Sequence, residues 1–400
     1  MVSTPLLYDP YDYTIDANPH PIWKRLRDEA PVYYNAEHDF FALSRFDDVL
    51  AAHLDAATFS SAHTTVLEMM EPEPDPFMTS MMIFMDPPVH TRYRKLVSRA
   101  FTPRHMSALE PRIRALAGRF LDEYAGGGSG GFDYVDDFGA RLPVMVISAL
   151  LGAPEEDEEQ LREWTDAMLH IDPGEIMGAH ATEIRDTVHD YWQAHIDERR
   201  RQPRDDIMSE LMTAELEDDD GSMRLLTDDE IHAFMGLISG AGNETVARFL
   251  GWSAVGLDQF PAERAKLVAN PGLITNAVEE ILRWEAPSAI QGRWVTRDVE
   301  FHDTVIPRGS KAALLTGAAD RDERMWDEPD RIDVERDMSR HVAFGYGIHF
   351  CLGAALARLE GRIALEETFK RFPSWSVDLG RCEMVHTSTV RGYAKVPIAL

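Results

Sequence analysis

Apolar residues recur at helical spacing over most of the chain and alternate only in short runs. Pro31–Tyr34 and Phe40–Leu43 are aromatic and β-branched runs around residues 35–39, which predicts a hairpin. Phe46–Leu54 reads as a helix, and His90–Phe101 as another that stops before Pro103. Further helices are expected over Ala140–Leu151 and Glu158–Leu169, and a long one within 175–200. Thr227 and Glu230 have the spacing of a capping box. They open a helix that can run to Phe260, before Pro261, a length of roughly 50 Å. Leu273–Trp284 is helical and ends at Ala286-Pro287; Leu352, Leu356, Leu359 and Ile363 mark a last helix reaching Phe369. Short strand-like runs cover Arg293–Thr296, Val299–His302, Lys311–Leu315, Trp375–Val377 and Ala394–Ile398. The pattern predicts a mainly α fold with small β-sheets at its margins (α+β). No repeat or linker divides it, so residues 1–400 are expected to form a single domain.

Composition narrows the function more than the fold. Apolar residues make up 44% and charged residues 27%, enough to bury a large core. The formal net charge of −29 argues against nucleic acid and anionic membranes as partners. The acidic runs at 155–159, 215–220 and 228–230 read as solvated loops and helix starts. Two cysteines give no disulfide framework, which suits a reducing cytoplasm. Met1–Trp23 has no apolar run, and no later segment has the length of a membrane span. Residues 60–88 carry Met69, Met70, Met78, Met81, Met82 and Met85 among prolines. Methionine is flexible, so this stretch is either loose core or an adaptable lid over an apolar ligand.

The most informative stretch is Phe344-Gly-Tyr-Gly-Ile-His-Phe-Cys-Leu-Gly353. Cys351 stands in a glycine-rich loop at the start of a helix, where unpaired N–H groups favour a thiolate. A thiolate shielded by amides suits a soft iron centre, whereas a lone cysteine is ordinarily a small buried hydrophobe. Gly240 and Gly242 weaken the middle of the long helix just before Glu244 and Thr245. They predict either close helix packing or a local opening with room for a small ligand and water. Glu280 and Arg283, three apart, share a helix face, as His90 and Arg94 do at four apart. There is no His-Glu-x-x-His, no phosphate loop and no Gly-x-Ser-x-Gly.

With Phe344, Gly345, Gly347, His349, Cys351 and Gly353 in place, the loop resembles the haem-ligand loop of the cytochrome P-450 family, and the likeness extends over nearly the whole chain. The resemblance implies the cytochrome P-450 fold, with the long helix crossing the distal haem face. It implies haem b (iron protoporphyrin IX) held by Cys351 as metal ligand, and without thioether bonds, since Cys-x-x-Cys-His is absent. Phe344, Gly353 and Ala241 would line the cofactor, and His90, Arg94, Arg293 and His349 would hold its propionates. Glu244 and Thr245 match the acid–alcohol pair that delivers protons to dioxygen. Glu280 and Arg283 match a structural Glu-x-x-Arg, with Arg331 as its expected third partner. Asp320 stands where relatives often have asparagine, and Ile332 where an aromatic is frequent.

The implied activity is a haem-thiolate monooxygenase that inserts one oxygen atom from O2 into a small hydrophobic substrate. Contacts to that substrate are expected from residues 60–88, Leu237, Ala241, Ala289–Gln291 and Ser388–Val390. No flavin or iron–sulfur motif is present, so electrons would come from a ferredoxin-type donor with its reductase. Arg92, Lys95, Arg99, Arg104, Arg112 and Arg114 would form a basic patch for it, in the helix carrying His90 and on the cysteine side of the haem. The alternatives are a peroxide-driven peroxygenase, expected to lack the Glu244-Thr245 pair, and a non-catalytic haem-thiolate sensor or carrier.

Overall fold

The computed structural model describes residues 6–73, 80–98, 101–126, 130–157, 160–161, 163–164, 179–204, 206–218, 220–386 and 390–400. The central element is the helix Asp228–Gln259, close to the span read from its caps. Thr227 Oγ1 accepts from the Glu230 amide at 3.2 Å, and the Glu230 carboxylate accepts from the Thr227 amide at 2.8 Å. Two otherwise orphaned donors are thereby satisfied. Its C-terminal half is buried almost all round, from Val246 to Leu257.

Small residues set how closely other helices cross it. A Cβ on Gly361 of the helix Ala354–Arg371 would stand 2.6 Å from Phe249. A Cβ on Gly242 would stand 2.8 Å from Ile147 of the helix Arg141–Leu150. Gly242 also lines a cavity beside the long helix, so the close contact and the room for a ligand stand side by side. The long helix runs unbroken through Gly240 and Gly242, and Gly242 serves close packing.

The expected hairpin forms between Val32–Asn35 and Phe40–Leu43. It extends into a five-stranded sheet through Lys311–Leu314, Gln291–Val295 and Phe59–Ser60. The carboxyl-terminal strands Ser376–Val377, Arg391–Lys395 and Pro397–Ala399 belong to smaller sheets. The helix read over His90–Phe101 is Val89–Val97, and Pro103 opens the next one instead of merely ending this one. Most of the helix expected over 158–169 lies outside the described residues, as do Met78, Arg99, Ser388 and Thr389. No described helix is long and apolar enough to cross a membrane.

Behind the cysteine loop, Glu280 and Arg283 form a bidentate pair at 2.7 and 2.9 Å, both fully buried. Arg283 also donates to the carbonyls of Asp320, Pro329 and Arg331. The third charged partner is Arg336, whose Nε lies 3.1 Å from Glu280, and not Arg331. Arg331 turns outward to Glu328 and contributes only its carbonyl.

Asp320 links this network to the loop by accepting from the Val342 amide at 2.8 Å. Its other carboxylate oxygen has no partner, and burial pushes its carboxyl up to about 6. The folded state therefore binds this proton more tightly than the unfolded chain does. The stabilisation is complete below the ordinary pKa near 4 and is lost as pH rises through about 6. Asp320→Asn should raise stability at pH 7 by about 1–3 kcal/mol, with the gain vanishing below about pH 4. Urea unfolding across that range checks it; an equal gain at every pH would contradict it.

Candidate active site

The cysteine loop is held by its own backbone. The Cys351 amide donates to the Phe344 carbonyl at 2.9 Å, and the Gly345 amide to Val342 at 2.8 Å. Gly345 and Gly347 take φ of +65° and +68°, the left-handed region that favours glycine. At Gly347 a side chain is also excluded by contact, since its Cβ would stand 2.6 Å from the His53 carbonyl oxygen. Gly353 caps the helix Ala354–Arg371, and a Cβ there would meet nothing within 4 Å, so it faces open space. The Arg358 guanidinium stacks 4.5 Å over the Phe344 ring and binds Glu279 at 2.6 Å, closing the loop from outside.

Cys351 lines this cavity, with Leu352, Gly353 and Phe344 beside it. The long helix forms the facing wall with Ala241, Thr245 and Val246. Burial pushes the Cys351 thiol up, against the amide of Gly353 and the charges of Arg94 and Arg358. The amide and the two guanidinium groups act towards the thiolate that the helix start implies, and burial acts against it. The helix begins at Ala354, and the low-dielectric surroundings outweigh its amides. A coordinated metal cation would supply the missing charge and deprotonate the sulfur.

Thr245 Oγ1 donates to the Ala241 carbonyl at 2.7 Å, so its lone pairs remain for a second partner at the cavity. Glu244 is not among the lining residues. It turns to Arg248 at 3.7 Å, and burial pushes its carboxyl up while Arg248 opposes the shift. The structure thus brings Ala241 and Thr245 to the wall and leaves Glu244 one step behind it.

One end of the cavity is basic. Arg293, Arg94 and His349 line it, and the His90 ring lies 4.2 Å from that of His349. A residue that sequence reasoning missed joins them: His53, from the last turn of the helix Phe46–Leu54. Both nitrogens of His53 and of His90, and Nε2 of His349, are buried without a partner. Burial first, and then neighbouring cations, hold all three well below the usual histidine range: His53 to about 3, His90 to about 4 and His349 to about 2. Burial also lowers Arg293 to about 10. Asp86, the carboxylate acting on Arg293 and His90, is itself bound to Ser60 and Ser61. A cluster of buried bases with orphaned nitrogens is the complement of an anionic ligand, and two carboxylates would satisfy it.

The remaining walls are mostly apolar, with Met82, Ile83, Ile147, Phe234, Leu237 and Ile238, and Thr65, Ser288, Gln291 and Glu360 are their polar members. The methionine-rich stretch divides between the two readings. Met70 is fully buried against Gly292, while Met82 reaches the cavity. Of the expected contacts, Leu237, Ala241 and Gln291 line the cavity, whereas Ala289 and Ile290 belong to the core beside the large sheet. The expected basic patch is spread over three helices. Within it Arg114 is neutralised by Glu110, Glu366 and Glu367.

A soft sulfur, a hydroxyl and a cluster of buried bases line one cavity, and they suit a porphyrin held by a cysteine. The family model for cytochrome P450 matches residues 29–257 and 254–389. The chain is 39% identical over 402 residues to a putative cytochrome P450 123 of Mycobacterium tuberculosis, covering 99% of this chain and 97% of that protein. It is 37% identical over 398 residues to the vitamin D(3) 25-hydroxylase of Pseudonocardia autotrophica, covering 98% and 96%. The structure of cytochrome P450 CYP109Q5 from Chondromyces apiculatus superposes with a TM-score of 0.88 at 31% identity, over 98% of this chain and 97% of that one. The chain belongs to the cytochrome P450 family. It has the cytochrome P450 fold, its cofactor is haem b, and it is a P450 monooxygenase using O2, a redox partner and a small-molecule substrate.

Proposed function

We propose that residues 1–400 form one domain that hydroxylates an apolar, steroid-like molecule in the cytoplasm, with electrons from a ferredoxin-type donor. The carrying observation is that Cys351 and Thr245 line the same cavity, whose other walls are mostly hydrocarbon. The 25-hydroxylase relative is named for action on vitamin D3, a molecule of the polarity these walls accept.

When bound, haem supplies the reductive activation of dioxygen. Cys351 ligates its iron. The amide that Gly353 turns to the sulfur and the charges of Arg94 and Arg358 moderate the negative charge there. Arg293, Arg94, His349 and His90 hold the two carboxylates and so set the orientation of the ring. Phe344, Gly353 and Ala241 leave it room. Thr245 Oγ1 gives up its bond to the Ala241 carbonyl and donates to dioxygen in the cavity. Glu244, whose carboxyl burial pushes up, resupplies that proton from behind the wall. Apolar side chains from Ile147 to Ile238 exclude water and hold the substrate by area.

The peroxygenase and sensor alternatives are separated in one assay. Turnover is expected with reduced ferredoxin and dioxygen, and about tenfold less or none with peroxide alone. Faster product formation from peroxide would favour the peroxygenase, and none under either condition the sensor.

A further inference from the structure

We propose that His53 is a further anchor of the cofactor: a hydrogen-bond donor to the haem carboxylate on the Arg293 side. His53 is 5% exposed, and neither ring nitrogen has a partner. An imidazole cannot be satisfied by hydrocarbon, so a purely structural role would leave a donor and an acceptor unpaired, where leucine would pack without that penalty. The ring lines the same cavity as Arg293 and His349. Arg293 is the one charged group that acts on it appreciably, and a cation cannot serve an N–H donor as acceptor. The missing acceptor must therefore come from the cavity.

The placement is built from two sides. His53 stands in the last turn of the helix Phe46–Leu54, which carries its ring to the cavity as a neutral N–H donor. Its ring edge lies 3.8 Å from where a Gly345 side chain would begin, and its carbonyl excludes any side chain at Gly347. The two glycines thus press the cysteine loop against His53. The carboxylate would tie this helix to the loop through the cofactor, which gives His53 a positioning role and no part in the chemistry.

The test is haem loss from the full-length holoprotein to excess apomyoglobin, for wild type, His53→Leu and His53→Gln. Leucine should speed loss about tenfold, as for one charge-assisted hydrogen bond, and glutamine, which keeps an N–H donor, should restore most of it. The comparison is repeated after reconstitution with haem dimethyl ester, whose carboxylates are capped; there His53→Leu and wild type should lose the cofactor equally fast. His53→Met replaces His53→Leu if the latter does not fold. Equal rates with native haem, or the same acceleration with the ester, would overturn the proposal and leave His53 a packing residue.

Discussion

Thr245→Ala is expected to keep haem content and substrate affinity while product per dioxygen consumed falls about tenfold or more. The hydroxyl is the described proton donor of the long helix that reaches the cavity, and it is fixed by the Ala241 carbonyl at 2.7 Å. Alanine keeps the helix and removes the donor, so dioxygen would still be consumed but without timely protonation. A positioned acid ordinarily contributes a factor of about 10² or more. Thr245→Ser should recover most of the coupling, because its hydroxyl can bond the same carbonyl. Paired measurement of oxygen uptake and product decides it: unchanged coupling in the alanine variant would remove Thr245 from the relay.

Glu280→Ala should cost about 3–5 kcal/mol of stability and leave a chain that retains haem poorly. Glu280 is fully buried, and its carboxylate neutralises Arg283 and Arg336 while accepting from the Asp333 amide. Removing it strands two guanidinium groups, one of them wholly inside the protein. Arg283 is also bonded to the Asp320 and Pro329 carbonyls at the foot of the cysteine loop, so disorder there reaches Cys351. Urea unfolding measures the loss; a midpoint within experimental error of wild type would show that the pair is dispensable.

What could be read from the chain follows the range of each interaction. The capping box, the hairpin and the glycines of the cysteine loop are local, and their spacing shows them directly. Arg336 was missed in favour of Arg331 because helical spacing says nothing about which residue of an irregular segment returns to a buried carboxylate. Gly242 pointed to a gap or to a contact, and it serves both: Ile147, from a distant helix, packs on it, and it lines the cavity. The burial that opposes the Cys351 thiolate was not legible, because the helix start is visible in sequence whereas burial is not. His53 carried no signal at all, being one histidine in an ordinary amphipathic turn whose role depends on what the fold sets opposite it.

Ligation of haem iron by Cys351 in this cavity is tested by the absorption spectrum of the reduced, carbon monoxide-bound protein. A strongly red-shifted Soret band is expected, lost in Cys351→Ser. A band at the shorter wavelength typical of histidine-ligated haem, or a red-shifted band that persists in the serine variant, would contradict it.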